Sequence, residues 1–238
     1  MRVALIGNSH IAALRQGWER MRADKPGVEI DFFGAPGLYF AQWKKVDGGI
    51  WPEDPRADNS FKMTSGGLSA ISGDYDAYFI IGMGFGLYNL FRIKNGHRTR
   101  TTFNPRRHQL ISDACLRRCA QGMTIWQVAT ATALRAQSSA PVSLMPNPLP
   151  GASRMADFLR DDGAFLAEIA DVIAEVAAGL AFPVLAQPPQ TVVGRHFTDA
   201  IFARRSCGLE GEAHAEDDFV HMNAEFGAAV LAAVLPAG

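Results

Sequence analysis

Arg2-Val-Ala-Leu-Ile-Gly-Asn-Ser-His10 is the stretch whose reading sets the fold. Four apolar residues, Val3 to Ile6, run without a polar interruption, as in a parallel strand covered on both faces. Gly7 and Asn8 end the run. Ile11, Leu14, Trp18 and Met21 then recur at helical spacing, so the chain passes from strand to helix through Ser9. Two readings of Ser9 follow. Serine is a preferred helix N-cap, with no chemistry attached. A serine at that junction is also well placed to react. Strand ends in open α/β sheets face the ligand crevice, and a helix N-terminus offers free N–H groups and a positive dipole end to a developing oxyanion.

Working outward, Pro26-Gly27 breaks the chain and Val28 to Phe33 reads as a second strand. Strand, helix and strand in so short a span form a βαβ unit, which predicts a parallel sheet. Gly37 closes Gly34-Ala-Pro-Gly37, either as a plain turn glycine or as a backbone N–H brought close to a ligand. Residues 38 to about 74 read as an irregular insertion beside the presumed site, with Trp43, Trp51 and Phe61 and a short hairpin around Ile50 to Met63.

Tyr78 to Ile81 is the next strand and runs into Gly82-Met-Gly-Phe-Gly86. That turn lacks the lysine of a phosphate loop and departs from G-x-G-x-x-G at Leu87, so nucleotide binding is disfavoured. Arg92, Lys94, His97, Arg98 and Arg100 mark an exposed loop, either a solvated face or an anion- or sugar-binding rim. Pro105 to Ala120 reads as a helix and Thr124 to Val128 as a short strand. Pro141 to Met145 and Val184 to Ala186 read as further strands. Between these two, Asp161 to Ala181 is the clearest helix, with Phe165, Ile169, Val172, Ile173, Val176 and Leu180 on one stripe. The tail carries Asp217-Asp-Phe-Val-His-Met-Asn223 before a last helix.

Composition narrows the function classes. The 238 residues are 48% hydrophobic and 20% charged, with a formal net charge of −1. A near-neutral chain without a basic cluster points away from nucleic acid and from anionic membranes. No window reaches the length of a membrane span. The apolar run after Arg2 is too short for a signal peptide, so the expected compartment is the cytoplasm. Cys115, Cys119 and Cys207 are odd in number and read as buried thiols rather than as a disulfide framework or a metal site. No cofactor is expected.

Alternating strands and helices, a serine after the first strand and an Asp-x-x-His before the last helix together resemble the SGNH hydrolase family, also called GDSL-type esterases. Gly7-Asn-Ser-His10 is similar to the family's Gly-Asp-Ser-Leu block, and Asp218-Phe-Val-His221 to its terminal Asp-x-x-His block. The resemblance implies an α/β fold: one domain over residues 1–238, a three-layer α/β/α sandwich, flavodoxin-like, with a mainly parallel sheet of about five strands. It implies a serine hydrolase that cleaves an ester, with Ser9 as nucleophile, His221 as base and Asp218 as its orienter. A small-molecule or carbohydrate O-acyl ester is the expected substrate. The alternative is a non-catalytic carbohydrate- or ligand-binding protein on the same fold.

Three departures matter. Asn8 replaces the family's aspartate. Asp217 adjoins Asp218, although the spacing favours Asp218. The oxyanion asparagine expected after the strand at 78–81 is missing, since that place reads Gly82-Met83-Gly84 and Asn89 is off-register. The oxyanion and substrate groups expected are therefore the Gly37 and Gly84 backbones and His10, which either packs at the helix start or reaches the substrate. His214, Asp217, Asp218 and His221 form a possible metal cluster, but the arrangement fits the Asp–His dyad better, and no metal is expected.

Overall fold

The computed structural model describes residues 1–37, 39, 42–46, 48–153 and 156–236. In chain order the strands are β1 (Arg2–Gly7), β2 (Glu29–Gly34), β3 (Trp43–Val46), β4 (Gly49–Pro52), β5 (Ile71–Ser72), β6 (Ala77–Ile81), β7 (His97–Arg98), β8 (Gln109–Leu110), β9 (Val142–Met145), β10 (Val192–Val193) and β11 (Phe197–Thr198). The α-helices are α1 (Ile11–Met21), α2 (Pro55–Ser65), α3 (Leu87–Phe91), α4 (Asp113–Met123), α5 (Ile125–Arg135), α6 (Asp157–Arg160), α7 (Gly163–Ala178) and α8 (Ala224–Val234).

The central sheet has the order β2-β1-β6-β9, and every pair in it is parallel. It has four strands, against about five expected. The missing strand is reduced to a single parallel bridge between Leu144 and Val184, because Pro183 lies directly before Val184 and a proline offers no N–H to extend a ladder. Alternation along β1 splits the core into two layers. Ala4 and Ile6 face a cluster with Phe33, Tyr78 and Leu144 that also takes Phe61 of α2 and Leu134 of α5. Val3 and Leu5 face the opposite cluster, with Ile11, Leu14 and Trp18 of α1 and Phe226, Val230 and Leu231 of α8. Phe33, Phe61, Phe226 and Leu5 are fully buried, and each such side chain contributes roughly 1.5–3 kcal/mol of transfer free energy. A third cluster, built from Phe91, Leu116, Phe165 and Ile169, joins α3, α4 and α7.

This order places a switch point beside β1. The chain steps from β1 out to β2, then returns to the other side of β1 as β6. Crevices at the carboxyl ends of such strands are where ligands bind in open α/β sheets. Here those ends are Gly7-Asn8-Ser9 and Ile81-Gly82.

Several sequence expectations need correction. The 38–74 segment is not irregular where it is described. It forms an antiparallel β3-β4-β5 sheet and the helix α2. The hairpin is β3–β4, and the span expected as its second half is helical because Asp54 caps the N-terminus through Arg56 N–H and Pro55 occupies the first helical turn. Residues 38, 40, 41 and 47 of that segment lie outside the described residues. Pro105 does not start a helix. Helix α4 begins at Asp113, where the Ser112 hydroxyl accepts from Cys115 N–H. The strand expected at Thr124 to Val128 is the start of α5. The thiols are not buried: Cys115 is exposed and Cys119 and Cys207 are half-buried, since the buried face of α4 is carried by Leu116 and Ala120. Arg98 belongs to no binding rim. It is buried, donates to Asp162 at 2.8 Å and caps the carbonyls of Lys94 and His97. Among the described residues no helix is long and apolar enough to cross a membrane.

Candidate active site

Ser9 follows β1 by two residues and precedes α1. Its hydroxyl does not cap that helix; the N-cap position falls on His10, with no side-chain cap bond. Ser9 Oγ lies instead 3.0 Å from His221 Nε2. On the far side of the ring, His221 Nδ1 is 2.8 Å from Asp218 Oδ2. Residues 212 positions apart in the chain are thereby joined in one hydrogen-bonded line.

Local chemistry fixes each member. Asp218 Oδ1 accepts from Val220 N–H at 2.7 Å and from His221 N–H at 2.8 Å, an Asx turn that leaves Oδ2 aimed at the ring. Burial opposes the ionised carboxyl. The His221 side chain and the two backbone donors outweigh burial and hold it well below the usual carboxylate range. An ionised carboxylate only accepts, so Nδ1 of His221 carries the proton and Nε2 is free to take one from Ser9. Asp217 is exposed, and the carboxylate that meets the His221 ring is that of Asp218.

The loop bearing Asp218 and His221 is tied down on both sides. Gly151 N–H donates to Phe219 C=O at 2.6 Å. The Phe219 ring meets Tyr88 edge-on, with centroids 5.3 Å apart. Asn223, expected only as part of the terminal block, is the N-cap of α8: its Oδ1 accepts from Phe226 N–H, and its Nδ2 donates to the carbonyls of Ile201 and Arg204. Helices α1 and α8 then pack at glycine-to-glycine range. A Cβ on Gly17 would lie 2.9 Å from Ala224 O, and one on Gly227 would lie 2.9 Å from Leu14 Cα. Only glycines allow this approach, and it holds the ends that carry Ser9 and His221 together.

His10 joins the group. It is 4% exposed, its ring centroid lies 5.5 Å from that of His221, and its Nδ1 is buried with no hydrogen-bond partner among the described residues. Burial, reinforced by His221 and His214 and opposed by Asp218, lowers its pKa to about 3, so the ring is neutral. His214, which the sequence offered only as a metal candidate, stacks on His221 with centroids 4.1 Å apart. Burial first, and then His221, lower its pKa as well. His214, Asp218 and His221 each present one ligand atom within 4.8 Å of the others, a spacing a metal ion could exploit. The bond between His221 Nδ1 and Asp218 commits two of the three to each other.

Gly37 and Gly84 lie beyond the ends of β2 and β6, on either side of β1. Both have positive φ, 57° and 94°. No hydrogen bond joins either of them to Ser9, His221 or Asp218 among the described residues. The β6 turn is unusual in having Gly82, Met83 and Gly84 all left-handed, and Met83, with φ 52°, bears a buried side chain in that strained conformation. Asn89 Nδ2 donates to Gly84 C=O at 2.9 Å, so the off-register asparagine braces the turn.

The residue that sequence reading missed is Asn147. It follows β9 by two residues. Its Oδ1 accepts from Asn8 Nδ2 at 3.4 Å and its N–H donates to Phe85 C=O at 2.6 Å. A Cβ on Gly82 would sit 2.5 Å from both Asn8 Oδ1 and Asn147 Oδ1. A side-chain amide therefore stands against the β6 turn, delivered from the neighbouring strand. Its signal was present in Pro146-Asn-Pro148, an asparagine just past a strand end. Asn147 also borders a largely apolar groove of about 820 Å³, lined in part by Leu87, Leu149, Ile173, Leu180 and Val184.

No family model matches the chain, and no curated protein matches it in sequence. Solved structures do match. A GDSL-like lipase from Bacteroides thetaiotaomicron is 16% identical, with 97% of this chain and 84% of that chain covered and a TM-score of 0.43. A carbohydrate acetylesterase family member from Sinorhizobium meliloti is 12% identical, with 96% and 92% covered and a TM-score of 0.43. An extracellular lipase from Streptomyces rimosus is 13% identical, with 99% and 100% covered and a TM-score of 0.48. In layout this chain is similar to these GDSL-type and acetylesterase proteins.

Proposed function

We propose that this protein is a serine hydrolase that cleaves an ester through an acyl-enzyme on Ser9. The observation that carries the reading is the continuous line from Ser9 Oγ through His221 to Asp218, at 3.0 and 2.8 Å. A serine hydroxyl is a weak nucleophile until a base takes its proton. His221 Nε2 takes it as Oγ attacks the ester carbonyl carbon. Asp218 keeps the ring in the productive tautomer and stabilises the imidazolium that results. His221 then gives that proton to the departing alcohol, leaving the acyl group on Ser9. Water, activated by the same ring, attacks the acyl carbon, and Ser9 Oγ recovers its proton as the acid leaves.

The tetrahedral oxyanion needs donors at the carboxyl end of the sheet. Ser9 N–H, at the mouth of α1, accepts that role with the Gly37 and Gly84 backbone N–H groups, and the Asn147 amide supplies the side-chain donor that Gly82-Met83-Gly84 lacks. His10, buried beside His221, backs the site as a neutral ring. The reading takes residues 1–238 as one catalytic unit, since the triad is drawn from both ends of the chain. Carbohydrate O-acyl esters are the first substrates to try. The test is hydrolysis of p-nitrophenyl acetate and of acetylated sugars by the wild type and by Ser9→Ala. The reading requires turnover that Ser9→Ala abolishes; turnover equal in the two proteins would overturn it.

A further inference from the structure

The triad leaves His214 without a task, yet its ring lies face to face with the catalytic imidazole. The two centroids are 4.1 Å apart and the planes differ by 25°. The ring is anchored: Nδ1 lies 3.1 Å from Ser206 Oγ, and the backbone N–H donates to Ser206 C=O at 3.0 Å. A bridge between Cys207 and Ala213 closes the loop that carries it, and Asp218 N–H donates to Ala215 C=O at 3.0 Å. The platform and the triad's carboxylate therefore share one braced segment. His10 is tilted by 41° to His221 at 5.5 Å and does not stack on it.

We propose that His214 is a positioning residue whose ring face holds His221 in the plane joining Ser9 and Asp218 and stabilises the imidazolium formed during catalysis. The proposal rests on the hydrolase reading above. Once Ser9 Oγ turns from Nε2 to the substrate, the Nδ1 bond to Asp218 alone fixes one point of the ring and leaves it free to rock about that contact. Rocking would carry Nε2 away from Ser9. A parallel face removes that freedom. The face of an aromatic ring also carries negative electrostatic potential, so it attracts the positive charge that His221 gains when it takes the serine proton. That attraction exists in the transition state and not in the resting enzyme, so it acts on kcat rather than on KM.

The experiment compares kcat and KM for p-nitrophenyl acetate in the wild type, His214→Ala and His214→Phe, with thermal unfolding followed for all three. His214→Ala is expected to lower kcat about 10-fold with KM within about twofold. His214→Phe cannot bond Ser206 but keeps the aromatic face, and is expected to retain kcat within about threefold of the wild type. Unchanged kcat in His214→Ala would overturn the proposal alone, and so would an equal fall in a folded His214→Phe. Absence of Ser9-dependent turnover in the wild type would overturn the hydrolase reading and the proposal with it.

Discussion

Gly227→Ala tests how the fold builds the site. Helix α1 follows Ser9 and α8 follows His221, so the spacing of this helix pair sets the spacing of nucleophile and base. The added methyl would lie within 3.0 Å of Ala13 O and 2.9 Å from Leu14 Cα, both backbone atoms that cannot swing aside. Restoring ordinary contact parts the helices by about 1 Å, and the 3.0 Å contact between Ser9 Oγ and His221 Nε2 would then lengthen to about 4 Å, outside hydrogen-bond reach. Overpacking costs about 1–3 kcal/mol. The better helix propensity of alanine returns about 1 kcal/mol. The net loss of up to about 2 kcal/mol lowers Tm by up to about 8 °C for a chain of this size. Loss of general-base assistance lowers the rate by about 10²–10⁴. Thermal unfolding and p-nitrophenyl acetate hydrolysis read the two effects separately. A Gly227→Ala protein with wild-type Tm and wild-type rate would refute the reasoning, because the backbone contact would then have relaxed without reaching the site.

Three further outcomes are expected. Asp218→Asn should keep the fold but lower kcat by roughly 10³–10⁴, since the amide permits the wrong His221 tautomer; steady-state kinetics with circular dichroism check it. Asn147→Ala should lower kcat about 100-fold or more if its amide serves the oxyanion, and an effect below threefold would remove it from that role. His10 makes stability depend on pH. Its folded pKa of about 3 lies below the ordinary 6.5, so the unfolded chain binds the extra proton first. The stability is whole above pH 6.5 and is lost as pH falls toward 3, by up to about 1.4 kcal/mol per unit. Tm measured from pH 7 to pH 4.5 should fall more steeply in the wild type than in His10→Gln, and parallel curves would count against this burial cost.

The parts of the molecule legible in the sequence were those set by local pattern. Val3 to Ile6 is apolar at every position because β1 is covered on both faces, and Ile11, Leu14 and Trp18 pack on the sheet as their spacing requires. Ser9, Asp218 and His221 were legible because two short blocks flank helices. What the sequence could not show depends on contacts distant in the chain. Asn147 and Asn8 are 139 residues apart, and the β1–β6 and β6–β9 pairings together bring them into contact. His214 sits in a polar loop with no periodicity, and that loop is brought to His221 by the backbone bond to Ser206 and the bridge between Cys207 and Ala213. Within 38–74 the turn residues between Trp43, Trp51 and Phe61 suggested irregular structure, whereas the Asp54-Pro55 cap made a helix. Arg98 looked like a solvated cation because nothing near it in sequence announces Asp162, 64 residues on.

The central claim is that Ser9 is a nucleophile activated by His221. Reaction with a fluorophosphonate probe, with the adduct located by peptide mass spectrometry, tests it most directly. The expected result is a single adduct on Ser9 that is lost in Ser9→Ala and slowed by about 10² or more in His221→Ala. An intact, folded protein that takes no label at Ser9, or takes it equally fast without His221, would contradict the account.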